Sequence, residues 1–414
     1  MPNTYLTKIL KARVYDVARE TPLDPMPLLS TRIDNKVLLK REDLQPVFSF
    51  KLRGAYNRMS MLNAKQKAAG VIAASAGNHA QGVALSAKIM AIKATIVMPA
   101  TTPGIKVNAV RRHGGRVVLH GDTYDEAYAE ALRLAEEQSL TLVPPYDDPD
   151  VIAGQGTIAM EILRQHGGGD IHAVFIPVGG GGLIAGMSAY IKGLYPKIRV
   201  IGVEPDDAPC MARALEAGRR VTLDQVGIFA DGVAVRQVGK EPFRVARQCV
   251  DEVILVSSDE ICAAIKDIFD DTRSIAEPAG ALAVAGMKRY VSREGMTDQA
   301  LVAIDSGANV NFDRLRHVSE RAELGEGREV LFAVTIPERP GSFLRFCRAV
   351  GKRGVTEFNY RYADAADAQI FVGVKMGGED EKEAFLTGLK DKGYALLDLT
   401  DNEMAKLHIS HMVG

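Results

Sequence analysis

The sequence has no excess of charge of either sign: 51 lysines and arginines stand against 52 aspartates and glutamates, a formal net charge of −1. No strong field therefore draws nucleic acid or an anionic membrane, and small molecules or further copies of the chain are the expected partners. No run approaches the roughly 18 apolar residues that a membrane span requires. The start, MPNTYLTKILKARVYDVA, alternates charge with apolar residues at helical spacing and has no apolar core of a secretory signal. The cysteines, Cys210, Cys249, Cys262 and Cys347, form no CxxC or His-paired cluster, which fits a reducing compartment and buried apolar roles. The histidines show no HExxH or facial spacing, so no metal is expected. These absences point to a cytoplasmic soluble protein. At about 150 residues per domain, 414 residues give two or three domains.

What is present is a regular alternation from Val71 onward. VIAAS, ATIVMP, RVVLHG and TLVPP are separated by helical stretches at AQGVALSAKIM, near Lys106 and from Tyr124. A second series follows with HAVFIPV, a glycine loop, a helix from Leu183, RVIGVEP and later LVAID. Short apolar strands between amphipathic helices predict crossovers onto parallel sheets, hence an α/β fold of two lobes, the smaller spanning roughly 47–150. The period breaks at DRLRHVSERAELGEGRE, which is charged and poor in strand formers, so the α/β region is expected to fill 1–316 and a helical or extended linker 317–328. From 329 to 414 two β-α-β halves with short connections predict a ferredoxin-like βαββαβ unit that binds rather than catalyses.

Four segments carry groups suited to chemistry. In SFKLRG, Lys51 is a surface charge on residue type alone, but Val47, Phe48 and Phe50 beside it suggest a desolvated amine able to attack an aldehyde in its neutral form. Arg41 and Arg53 read as surface or ion-pair residues. SAGNHAQG opens a helix after a strand; it is either an N-cap turn or a carboxylate site using the amides near Ser75 and Gly77, with Asn78 offering its amide to a phenolic oxygen and His79 a second donor or a helix-start residue. VGGGGLIAG, with Gly179, Gly180, Gly181, Gly182 and Leu183, forms either a phosphate cradle or, through Gly180, Gly182, Ala185 and the later Glu204, a dinucleotide fingerprint. Against the dinucleotide stand its mid-chain place and its silence on Lys51 and the asparagine loop. Ser306, in DSGAN at the end of LVAID, caps a turn or hydrogen-bonds a pyridine nitrogen.

Lysine, asparagine loop, tetraglycine loop and terminal serine in this order resemble the fold-type II pyridoxal-phosphate family, and within it the biosynthetic threonine dehydratases. The resemblance covers essentially the whole chain. It implies pyridoxal phosphate as cofactor, with Lys51 as its Schiff-base lysine and general base, Asn78 at the ring oxygen, Gly179 to Leu183 at the phosphate, Ser306 at the pyridine nitrogen and Phe50 beside the ring. It further implies β-elimination of ammonia from L-threonine, and less from L-serine, on the way to isoleucine. An ACT-like tail would sense isoleucine, opposed by valine, in a homo-oligomer of two or four copies. The longer members carry two ACT-like subdomains where this sequence shows one. Relatives such as serine racemase hold a cation near the position of Glu204 with a later carboxylate, and that later position is Cys210 here. Two alternatives stand beside this one. A catabolic serine/threonine dehydratase or a serine racemase would usually lack the tail, and a retired scaffold that only binds amino acids would be expected to have lost Lys51 or the glycine loop.

Overall fold

Two strands precede the region in which the sequence suggests that the alternation begins: β1 (Leu23–Pro25) and β2 (Lys36–Arg41). The alternation then supplies β3 (Val71–Ala74), β4 (Ala94–Met98), β5 (Arg116–Leu119), β6 (Thr141–Leu142), β7 (Ile171–Pro177), β8 (Arg199–Pro205), β9 (Glu252–Val256) and β10 (Ala300–Asp305). In this computed structural model, which describes residues 2–167, 170–362, 367–402 and 405, the strands form two sheets. One is parallel with order β5-β4-β3-β6; the other has order β1-β2-β10-β7-β8-β9 and is parallel except at β1. Helices cover the large sheet, so β7 and β10 read as nearly unbroken apolar runs, the pattern of strands buried on two faces. β2 escapes that reading because KVLLKR carries charge into the interior. Lys40 finds Glu161 at 2.7 Å, and Arg41 finds Asp43 at 2.7 Å.

The chain divides into two units, 1–257 with 267–310 and 258–266 with 311–414. The second contains β11 (Glu329–Pro337), a helix Ser342–Val350, β12 (Val355–Tyr362), β13 (Asp367–Lys375), a helix Glu379–Asp391 and β14 (Ala395–Asp398). Its antiparallel order β12-β13-β11-β14 is the ferredoxin-like arrangement expected of βαββαβ. Val330, Phe332, Ile370 and Val372 on the strands meet Phe346 and Leu389 on the helices to make its core. Residues 406–414, the end of the domain expected from sequence, lie outside the described residues.

Two expectations change. The stretch expected to be a helical or extended linker does contain a helix, Arg314–Gly325, but that helix clusters with 311–414 and with 258–266 instead of linking the units. Arg321 pairs with Asp259 there, and a Cβ at Gly325 would lie 2.1 Å from the Asp259 carbonyl oxygen. The division accordingly falls after Val310 rather than after residue 316. Of the cysteines expected to be buried, Cys210, Cys249 and Cys262 are, but Cys347 is exposed. Its helix buries Ser342, Phe346 and Val350, a four-residue period that turns the next position outward. None of the described helices is long and apolar enough to cross a membrane.

Candidate active site

Lys51 begins the helix Lys51–Ser60. The strand-like segment before it is tied to the end of β10: Ser49 pairs with Gly307 in an antiparallel bridge, and the Phe50 N–H donates to the Ser306 carbonyl at 3.3 Å. Lys51 Nζ donates to the Pro145 carbonyl at 3.4 Å and lies 5.3 Å from the centre of the Phe50 ring. Among the described residues it has no carboxylate ion partner. Burial lowers its pKa to about 8, against the opposing pull of Glu277. The expected apolar surroundings are half right: Val47 and Phe50 are buried, whereas Phe48 is 57% exposed. Arg53 is not a surface residue; it is fully buried between Glu42 at 2.7 Å and Glu161 at 2.6 Å.

β3 runs into the asparagine loop. The Ser75 N–H donates to Val97 on β4 at 3.1 Å, and Ser75 Oγ accepts from the Gly77 N–H at 3.3 Å. Gly77 opens the helix Asn78–Ile89 onto space, since an added Cβ there would meet nothing within 4 Å. That end of the helix leaves N–H groups without intrahelical partners, the feature a carboxylate needs. Asn78 is held at both ends of its amide. Nδ2 donates to Glu277 Oε1 at 2.6 Å, and Oδ1 accepts from Asn309 Nδ2 at 2.7 Å. Of the two readings of His79, a second donor or a helix-start residue, its ring contact favours the second. Its Nε2 faces the Val143 carbonyl at 2.8 Å, so the proton sits there, and buried Nδ1 is left as an acceptor with no partner. Burial, and then the charge of Lys51, lower its pKa to about 3, which keeps the ring neutral.

β7 delivers the tetraglycine loop, and the helix Gly182–Leu194 follows. Gly181 has φ 90°, a left-handed conformation open to glycine. A Cβ on Gly180 would stand 2.2 Å from the Tyr146 ring, the residue after the Pro145 that Lys51 touches. The loop and the lysine are thus neighbours through Pro145 and Tyr146. Ser306 is buried at the end of β10, with Oγ donating to the Ala279 carbonyl at 3.3 Å.

Glu204 has another task than a ribose contact. Its two oxygens accept the N–H groups of Met211 at 2.7 Å and Ala212 at 2.9 Å at the start of the helix Cys210–Ala217. Burial pushes its carboxyl up to about 7 against those bonds. With it goes the support for a dinucleotide fingerprint. Among the described residues no group of three or more His, Cys, Asp or Glu is arranged to hold a metal ion. Reasoning from sequence missed Glu277, Asn309 and Tyr146. Glu277 stands before Pro278 at a helix start, and Asn309 lies inside DSGAN, so both were in view without a visible partner.

Comparison with known proteins shows the family. The family described as pyridoxal-phosphate dependent enzyme matches residues 14–307, and the C-terminal regulatory domain of threonine dehydratase matches 320–409. The chain is 60% identical over 413 residues to the biosynthetic L-threonine dehydratase of Burkholderia multivorans, covering 99% of this chain and 81% of that protein. To the Escherichia coli enzyme of the same name it is 57% identical, with 99% and 80% covered. The solved structure of processed threonine deaminase isoform 2 from Solanum lycopersicum superimposes with a TM-score of 0.77 at 52% identity, over 78% of this chain and 88% of that one.

Proposed function

The chain belongs to the pyridoxal-phosphate-dependent threonine dehydratases, and on that footing we propose that Lys51, the asparagine loop, the 179–183 loop and Ser306 form one catalytic centre, with the second unit as an amino-acid sensor. The enzyme is a threonine ammonia-lyase: L-threonine loses water, and hydrolysis of the resulting enamine takes a water back and releases ammonia, leaving 2-oxobutanoate. The residues fit the cofactor. A half-buried amine of lowered proton affinity, open space over Gly77 and a glycine loop at a helix start are what an aldehyde, an amino-acid carboxylate and a phosphate require.

When bound, pyridoxal phosphate supplies an aldehyde that captures the substrate amine and a ring that takes up the electrons of the breaking Cα–H bond. The chain's residues divide the remaining work. Lys51 would hold the cofactor covalently and, once released, take the Cα proton, which its lowered pKa allows near neutral pH. The amides at Gly179, Gly180, Gly181, Gly182 and Leu183 would hold the phosphate at the positive end of their helix. Ser75, Gly77 and the start of the Asn78 helix, His79 included, would hold the substrate carboxylate. Phe50 lends an apolar wall. Ser306 would offer the ring nitrogen an uncharged hydroxyl, which, unlike a carboxylate, would not keep that nitrogen protonated. L-serine would be the lesser substrate, since one methyl in an apolar pocket is worth about 1–3 kcal/mol.

One observation carries this reading. The lysine segment, far in sequence from both, is stitched to Ser306 through Phe50 and to the glycine loop through Pro145 and Tyr146.

 

That convergence of groups distant in the sequence is what a single cofactor would span. The test is 2-oxo-acid formation from L-threonine and L-serine with and without L-isoleucine, on protein whose bound cofactor is verified by absorbance. Threonine-preferring turnover that isoleucine suppresses, and that Lys51→Ala abolishes, is the expected result; near-normal turnover in Lys51→Ala would reject the assignment. Isoleucine as inhibitor, valine as its opponent and a homo-oligomer of two or four copies belong to the same proposal. The exposed edges of the second unit's sheet, at β12 and β14, support pairing between copies.

A further inference from the structure

We propose that Glu277 is a positioning residue of this site: its carboxylate, acting together with Asn309, fixes which end of the Asn78 amide is turned toward the cofactor. An asparagine side chain offers donors at one end and an acceptor at the other, and a half-turn exchanges them. Only the donor end can serve a phenolic oxygen. Glu277 Oε1 accepts from Asn78 Nδ2 at 2.6 Å; burial pushes this carboxyl up to about 7, while the Asn78 and Asn309 donors favour its ionised form, which can only accept. Asn309 completes the arrangement. Its backbone N–H donates to Glu277 Oε2 at 3.1 Å, and its side-chain Nδ2 donates both to Asn78 Oδ1 at 2.7 Å and to the Val47 carbonyl at 2.8 Å. Turning Asn78 over would set oxygen against carboxylate and NH2 against NH2, two repulsive contacts at once. The observed orientation leaves one Nδ2 hydrogen for the cofactor.

The setting of Glu277 suits it to this role. It occupies the N-cap position of the helix Pro278–Glu294, yet its side chain does not cap that helix. Its own N–H is fixed to the Gly307 carbonyl at 3.0 Å, which sets it beside the Ser306 loop. It is also 95% buried, so water does not compete for its oxygens.

The inference rests on the cofactor role proposed above for Asn78. Its test compares wild-type, Glu277→Gln, Glu277→Asp and Asn309→Ala holoenzymes by circular dichroism, by the visible band of the lysine-bound cofactor, by cofactor dissociation constant and by kcat and KM. In Glu277→Gln one end of the new amide must face a donor with a donor. The expected result is a native fold, a displaced band, cofactor affinity weakened about tenfold or more, the size of one lost charge-assisted bond, and a reduced kcat with KM for threonine nearly unchanged. Glu277→Asp, which keeps the acceptors, recovers part of each. A wild-type band and affinity in Glu277→Gln would overturn the inference. If that variant does not fold, Asn309→Ala decides, since it removes the contact to Asn78 Oδ1; an unshifted band there overturns the inference as well. A wild-type protein without any cofactor band would instead reject the reading of the site itself.

Discussion

At the scale of single residues, the cost of preparing Lys51 for chemistry is visible as stability. An ordinary lysine titrates near 10.5 and this one near 8, because burial disfavours its charged form. Between those values the unfolded chain binds the proton and the folded one does not, so stability contributed by this group rises with pH across about 8 to 10.5 and is lowest below 8. At about 1.4 kcal/mol per pKa unit the penalty near neutrality is roughly 3–3.5 kcal/mol. Lys51→Met should therefore stabilise cofactor-free protein at pH 7, with the advantage shrinking toward pH 10.5; denaturant titrations at both values would show it, and a pH-independent difference would refute it. Lys51 was legible in the sequence because its apolar neighbours and its place before a strand–helix series are local signals. His79 and Glu277 were not. The tautomer of His79 depends on a carbonyl 64 residues away, and the partner of Glu277 is 199 residues away, so neither role has a trace in nearby letters.

At the scale of elements, the helix that begins at Lys51 is anchored by charge rather than by apolar contact alone. Arg53, one half-turn on, bridges Glu42 before the helix and Glu161 on the helix Pro149–His166, while Lys40 on β2 shares Glu161. All four side chains are fully buried. Burial opposes the charge on Arg53, but Glu42 and Glu161 more than compensate and raise its pKa. Such a group is weak evidence for stability as a whole, yet removing one member strands the others. Arg53→Ala should cost about 3–5 kcal/mol by urea denaturation, because two buried carboxylates would be left with Lys40 alone as cation. It should also loosen the cofactor through the displaced Lys51. A loss below about 1 kcal/mol would mean that water enters and replaces the guanidinium. The sequence hinted at an ion pair for Arg53 but hid β2, since its last two residues are charged and only the folded interior shows their partners. The parallel sheets from Val71 onward were legible for the opposite reason: their apolar runs and helical spacers are set by local periodicity.

At the scale of the whole molecule, the ferredoxin-like pattern of the second unit could be read from strand and helix periods alone, whereas its boundary could not. The charged helix Arg314–Gly325 joins that unit through Asp259, a partner from far upstream. The chain covers 99% of its own length against the Burkholderia multivorans relative but 81% of that protein, so its feedback has to be measured on this chain rather than carried over. If isoleucine bound to the second unit weakens substrate binding by some factor, substrate must weaken isoleucine by the same factor, because the coupling free energy is shared. Coupling of this kind is typically 1–3 kcal/mol, about 5- to 150-fold. Calorimetric titration of isoleucine, with and without a saturating unreactive threonine analogue, should give a ratio equal to that found when the analogue is titrated with and without isoleucine. Valine should compete for the isoleucine site while producing a smaller or opposite shift in analogue affinity. Isoleucine that binds tightly yet leaves analogue affinity unchanged would show a sensor uncoupled from catalysis, since a ligand with equal affinity for both states shifts nothing however tightly it binds.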